Sequence, residues 1–322
     1  MRVIEVARFG GPEVLVPVEV PDPRPGPGEV VIDVAVADTL WVETMIRQGR
    51  GAPYFPVRPP YRPGVGVAGT VAVVGAGVDA GLVGRLVVSR TGEHGGYVER
   101  ALVPAGGLID VPDGVSARNA AALLHDGTTG AGLVDLVGVV AGERVLVTAA
   151  GGGLGAVLVQ LAAAAGGRVV AAARGAGKLA RLRELGAEVT VDYADPDWAR
   201  RVRDAVGGVE VVFDGAGGDY GRAAYGLVID GGRFSAHGTP GGSFAVPDAA
   251  DADRRGITVV GIGDVRFPPE RARRYAERAL AEAAAGRVRP LVGQTFPLER
   301  VAEAHAAIEG RAVIGKTLLT VG

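Results

Sequence analysis

"VTAAGGGLGAVLVQLAAAAGGRVVAAARGAGK" (147–178) reads as the end of an apolar strand, a glycine turn, a helix and a second strand. Ala150, Gly152 and Gly155 fit the A/G-x-G-x-x-G spacing. In that pattern the first position makes a tight turn and the second lets backbone approach a pyrophosphate. The third lets the helix pack closely on the strand. The helix start adds N–H groups and partial positive charge, which suit phosphates. Glycine is abundant here, at 53 of 322 residues, so the spacing alone carries little weight. The strand before it, and the helix and strand after it, turn it into a dinucleotide signal. The plain alternative is a glycine-rich turn with no ligand.

The end of the second strand reports which dinucleotide. An NAD site usually places Asp or Glu there, for the ribose hydroxyls. This chain has Ala171, Ala172, Ala173 and Arg174, with Lys178 four residues on at a helix start. A cation at a helix start gains nothing from the helix dipole. It gains if an anion sits beside it, and the 2′-phosphate of NADP is such an anion. Tyr193, ending a third strand, adds a hydroxyl. NADPH is therefore expected over NADH; the alternative for Arg174 and Lys178 is a solvated helix start.

Around this core the chain changes character once. Residues 1–118 hold many short strands between turns, such as "EVVIDVAVAD" and "GVAGTVAVVGAGV", and suggest a compact barrel or sandwich. "WVETMIRQGR" (41–50) reads as a short helix. "GAPYFPVRPPYRPG" (51–64) reads as a stiff, extended, aromatic loop that suits the wall of a site. From about 119 strands and helices alternate, which implies a doubly wound parallel sheet covered on both faces. "ARNAAALLHDGTTGAGLVDLVGVV" reads as a helical region broken by Gly127, and 268–288 as a helix. The division expected is 1–118 with 268–322, and 119–267.

Composition excludes several classes. Net charge is −2 and charges of both signs are interspersed, so nucleic acid and anionic membranes are not expected partners. There is no cysteine, hence no disulfide, thiolate metal site or cysteine nucleophile. The four histidines, at 94, 125, 237 and 305, are scattered, so no metal site is expected. No secretory leader or bilayer-length apolar run is evident, and a cytoplasmic location is expected.

Further stretches are "MIRQG" (45–49), "PYRPGVGVAGTVAVVGAGV" (60–78), "GGYVERALVP" (95–104), "GGRFSAHGTPGG" (231–242) and "FPLERVAEAHAAIEGRAVIGKTLLTVG" (296–322). With the glycine turn and in this order, they make the whole chain resemble the medium-chain dehydrogenase/reductase superfamily, within it the zinc-independent quinone oxidoreductase group. The resemblance implies a Rossmann domain within a split GroES-like catalytic domain, NADPH, a homodimer and a small-molecule substrate. It implies pyrophosphate contacts at Gly152, Gly153, Leu154 and Gly155, and 2′-phosphate contacts at Arg174, Lys178 and Tyr193. Thr129 and Gly238 match positions near the nicotinamide, and Lys316 a lysine close to the cofactor. Lys178 and Lys316 are the only two lysines, so both fall at cofactor-associated positions. Leu40 stands where the group usually has Asn nearby, and "LLHDGTTG" is more polar than expected of the group. His125 is a candidate donor or proton source; its alternative is a local packing role.

Without a metal to polarise an alkoxide, hydride delivery to a conjugated acceptor is favoured, because the charge spreads to a distant oxygen. A quinone or enone reductase is the expected activity, with Leu40, Trp41, Tyr54, Phe55, Tyr61 and Phe267 as pocket wall. A biosynthetic enoyl reductase or redox-silent cyclase on the same scaffold remains an alternative, as does a non-enzymatic NADPH-binding protein.

Overall fold

The structure is a computed structural model that describes residues 1–51, 55–92 and 95–322. The first elements are β1 (Arg2–Val6), β2 (Leu15–Glu19), β3 (Glu29–Asp38), α1 (Trp41–Arg47), β4 (Gly66–Val74), β5 (Leu86–Arg90), β6 (Arg100–Pro104) and β7 (Ile109–Asp110). Then come α2 (Ala117–Val137), β8 (Arg144–Val147), α3 (Gly153–Ala164), β9 (Arg168–Ala173), α4 (Ala176–Glu184), β10 (Val189–Asp192) and α5 (Trp198–Val206). β11 (Val209–Asp214), α6 (Gly218–Tyr225), β12 (Val228–Ala236), α7 (Ala249–Arg255), β13 (Thr258–Gly261) and α8 (Pro269–Ala284) follow. The chain ends with β14 (Val292–Pro297), α9 (Val301–Glu309) and β15 (Lys316–Thr320).

Two compact units result: Met1–His125 with Val292–Gly322, and Asp126–Leu291. The second begins at Asp126 and ends at Leu291, against 119 and 267 read from the sequence, so the end lies much further along than the start. The reason for the later end is α8, whose Tyr275 stacks on Phe267 and hydrogen-bonds Asp135 of α2. Gly127 does not break α2, which runs through it unbroken. A helical glycine costs roughly 1 kcal/mol relative to alanine, and the flanking buried residues outweigh that.

The first unit is built on a mixed sheet of order β14-β15-β3-β4-β5-β7, with β6 also on β3 and a separate β1–β2 ribbon. Its core gathers Ile4, Val30, Ile32, Val67, Tyr97, Val103 and Leu319. The tail completes this sheet, because β15 pairs antiparallel with β3.

One polar network lies inside that core. Glu43 is buried and accepts N–H bonds from Leu40 and Gly64, both at 2.8 Å, and the Tyr97 hydroxyl at 2.6 Å. Burial pushes the Glu43 carboxyl up, and these donors oppose that. Tyr97 spends its proton on Glu43, so His305 Nε2, 3.1 Å away, must donate to the Tyr97 oxygen. That contact requires a proton on Nε2, and the lowered affinity for a second proton keeps the ring neutral near pH 7. Burial, aided by the Arg47 cation, pushes it down to about 3.

Because the unfolded imidazole titrates near 6.5, His305 stabilises the fold above that pH and loses this as pH falls towards 3. At pH 5 its loss is about 2 kcal/mol, at 1.36 kcal/mol per pH unit. Urea unfolding at pH 7 and pH 5 should show the wild type dropping by about that much more than His305→Phe. Equal drops would refute the assignment.

The second unit carries a six-stranded parallel sheet, β10-β9-β8-β11-β12-β13, flanked by helices. β8 lies at its centre, with β9 on one side and β11 on the other. The strand order reverses there, which opens a crevice at the carboxyl ends of β8 and β11. Among the described residues no helix is long and apolar enough to cross a membrane.

Candidate cofactor and active site

The glycine turn leaves β8 at that switch point and enters α3. Its three small positions play different parts. A Cβ on Gly155 would sit 2.4 Å from the Ala149 carbonyl oxygen and 2.7 Å from Ala150 Cα, so the fold itself demands glycine there. A Cβ on Gly152 would meet only the Ala149 oxygen, at an ordinary 3.4 Å, and its φ of −84° suits any residue. The bare backbone at Gly152 is thus unexplained by the protein's own packing and fits a closely approaching ligand. Gly153 and Leu154 form the first turn of α3, and both are half-buried.

Beside the turn stand the cations. A Cβ on Gly151 would lie 2.8 Å from Cδ of Lys178, so the Lys178 chain crosses the turn. Arg174 is exposed at the end of β9 and donates to the Tyr220 hydroxyl at 3.3 Å. The Tyr220 ring leans on Tyr193, with centroids 4.7 Å apart. Burial, and then the Arg174 charge, hold the Lys178 ammonium below its ordinary value. Two repelling cations at a glycine turn are what an anion would relieve. Asp192, at the end of β10, accepts from Gly175 N–H at 3.0 Å and Ala194 N–H at 2.9 Å, which holds the start of α4 against that strand.

Asp214 closes the other side of the switch point. It ends β11, is fully buried, and accepts the Thr148 hydroxyl at 2.6 Å and the N–H groups of Ala216 and Gly217. Its backbone oxygen accepts from His237 and Gly238, which pins the end of β12 to β11. A Cβ on Gly238 would be 2.0 Å from the Gly215 oxygen, so that close approach needs glycine. Thr129 lies half-buried on α2.

The first unit brings a second set together. Lys316 Nζ lies 2.7 Å from Asp38 Oδ1, with both side chains buried. Burial, then the charges of Lys316 and Arg90, push His125 down to about 3, so it too is neutral. Leu40 is buried; Trp41 opens α1 half-buried. Tyr61 packs against the first core, where burial pushes its hydroxyl up to about 12. Phe55 is exposed. Phe267 belongs to the second unit, stacked edge-on to Tyr275 at 4.9 Å and covering Gly132. Tyr54 and His94 lie outside the described residues.

Sequence reasoning missed Asp38, Asp214 and Tyr220. The two aspartates shared a legible signal: each ends an apolar strand, where an acid must be paired or hydrogen-bonded.

Two family models match, "Alcohol dehydrogenase GroES-like domain" over residues 26–113 and "Zinc-binding dehydrogenase" over 185–319. The quinone oxidoreductase of Mus musculus is 30% identical, covering 99% of this chain and 97% of its own. The chain belongs to the medium-chain dehydrogenase/reductase superfamily, in its quinone-oxidoreductase-like group. Among solved structures of this superfamily, a mycobacterial protein complexed with NADPH is 31% identical, with a TM-score of 0.89 over 99% of this chain and 100% of that one. Another, described as an NAD-dependent alcohol dehydrogenase, is 32% identical with a TM-score of 0.88 over 100% of both chains. The zinc in the one model's description has no counterpart in the residues. The chain has no cysteine, and among the described residues no group of three or more His, Asp or Glu is arranged to hold a metal ion.

Proposed function

We propose that this chain is a zinc-independent, NADPH-dependent reductase that delivers hydride to a quinone or an α,β-unsaturated carbonyl compound. The observation that carries the reading is the cation pair at the glycine turn. Lys178 crosses Gly151 and Arg174 stands beside it, where an NAD site would carry an acid. Relatives of similar identity are described with NADPH in one case and NAD in another, so the choice rests on these residues.

Gly152, Gly153, Leu154 and Gly155 hold the pyrophosphate in this reading, and Arg174, Lys178 and Tyr193 the 2′-phosphate. Thr129, Gly238 and Lys316 flank the nicotinamide. NADPH, when bound, supplies the hydride. The chain's own residues orient it, exclude water and stabilise the acceptor oxygen. Neutral His125 serves as an N–H donor there, since its ring does not hold a second proton near neutral pH. Leu40, Trp41, Tyr54, Phe55, Tyr61 and Phe267 offer apolar and aromatic surface for a flat conjugated acceptor. The enzyme is taken to be a cytosolic homodimer, and sedimentation should show two copies.

An NADPH-oxidation screen over quinones and enones, with NADH in parallel, tests this. Turnover of at least one acceptor, with NADPH clearly preferred, is expected. Conversion of a substrate without NADPH consumption would favour a redox-silent cyclase. Stoichiometric binding with no turnover would favour a binding protein. Failure to bind NADPH would overturn the cofactor assignment.

A further inference from the structure

Asp38 has no place in the function described so far, yet it is one of the most enclosed charges in the chain. It ends β3, its side chain is fully buried, and its Oδ1 lies 2.7 Å from the ammonium of Lys316, which opens β15. The two strands are in register at this point, with Asp38 opposite Leu318. The Thr39 hydroxyl donates to the Thr317 carbonyl at 2.7 Å, and the Gln294 amide donates to the Thr317 hydroxyl at 2.9 Å. The backbone that carries both partners is therefore held from several sides.

Stability is a poor reason for such a pair. Taking two ions out of water costs about as much as their attraction returns, and an apolar pair of similar volume often does as well or better. What the pair does provide is placement. A lysine has four rotatable side-chain bonds and no geometric preference of its own. A short carboxylate opposite it fixes where the ammonium sits, and an opposite charge at that distance favours the charged form over the neutral amine.

We propose that Asp38 is a positioning residue, which holds the Lys316 ammonium charged and in place for the bound cofactor. This rests on the assignment of Lys316 to the cofactor. Around the pair, Arg90 and Tyr97 lie within electrostatic reach of Asp38, and Glu43 and His125 within reach of Lys316. Asp38 is in ion-pair contact with it, at 2.7 Å.

The test uses three variants of the full chain: Asp38→Asn, Lys316→Met and the double substitution. Each is read by NADPH titration between pH 6 and pH 9, with thermal unfolding as a control. In Asp38→Asn the ammonium loses the carboxylate 2.7 Å away, and removing a nearby opposite charge favours the uncharged amine. NADPH affinity should therefore fall tenfold or more at pH 9 and recover towards the wild-type value at pH 6. Lys316→Met should be weakened similarly at every pH, and the double variant should match Lys316→Met.

A folded Asp38→Asn protein with wild-type affinity across the range, while Lys316→Met is weakened, overturns the role of Asp38 and leaves the cofactor assignment standing. Wild-type affinity in Lys316→Met removes the assignment and the inference together. If Asp38→Asn does not fold, Asp38→Glu decides, because it keeps the carboxylate charge but moves it one methylene along the side chain. A fall in NADPH affinity with unchanged thermal unfolding in Asp38→Glu supports the proposal, and wild-type affinity overturns it.

Discussion

Replacing Gly155 by valine is expected to unfold the second unit at markedly lower temperature and to abolish NADPH binding, whereas Gly152→Ala should fold normally and lose only the cofactor. The contrast follows from two distances. At Gly155 an added Cβ would press on backbone atoms, the Ala149 oxygen at 2.4 Å and Ala150 Cα at 2.7 Å, and these cannot swing aside as a side chain can. Valine adds two further carbons at the same place. Overpacking a tight core site costs about 1–3 kcal/mol and more where backbone must move, so a loss of about 3 kcal/mol or more is expected. That corresponds to roughly 6–12 °C in the unfolding midpoint. At Gly152 the nearest atom to an added methyl is 3.4 Å away, and the unfolding midpoint should barely move. A phosphate approaching that backbone would nevertheless be pushed off, and NADPH affinity should fall about tenfold or more. Thermal unfolding and NADPH titration of both variants check this. If the two lose stability and affinity together, the glycines do not have separate roles.

The same stretch shows how much of the molecule could be read without a structure. Strand, turn, helix and strand fall at Arg144–Val147, Gly153–Ala164 and Arg168–Ala173, because apolar periodicity and glycine stops are local signals. Gly127 was misleading. Intrinsic propensity argues for a break there, and α2 runs through because its neighbours are buried on a long apolar face. The part most poorly legible is polar and long-range. Asp38 meets a lysine 278 residues away, and Asp214 meets a threonine 66 residues away. A strand-ending acid can be recognised as needing a partner; which partner it finds depends on strand order. Phe267 shows another long-range contact that its own residue type does not announce: its ring packs on Tyr275 and over Gly132.

Removing both cations at the turn, Arg174→Ala with Lys178→Ala, is expected to lower the preference for NADPH over NADH by about 10²- to 10³-fold. Each charge-assisted bond to a phosphate is worth about 1.5–3 kcal/mol, or roughly 10- to 100-fold. The two side chains interact, since the Arg174 charge already disfavours the Lys178 ammonium, so their effects should not simply multiply. NADH has no 2′-phosphate, and its affinity should hardly change. The two halves of the effect are separable. Lys178 crosses the glycine turn, and its loss also bares Gly151, so Lys178→Met, which keeps the alkyl chain, should retain stability while losing the preference. Arg174 is exposed, so its share should weaken as salt is raised, with Lys178 less affected. Paired titrations with NADPH and NADH at low and high salt measure all of this. An unchanged preference in the double variant would mean that these cations are only a solvated helix start. The cofactor choice would then have to be sought elsewhere in the second unit.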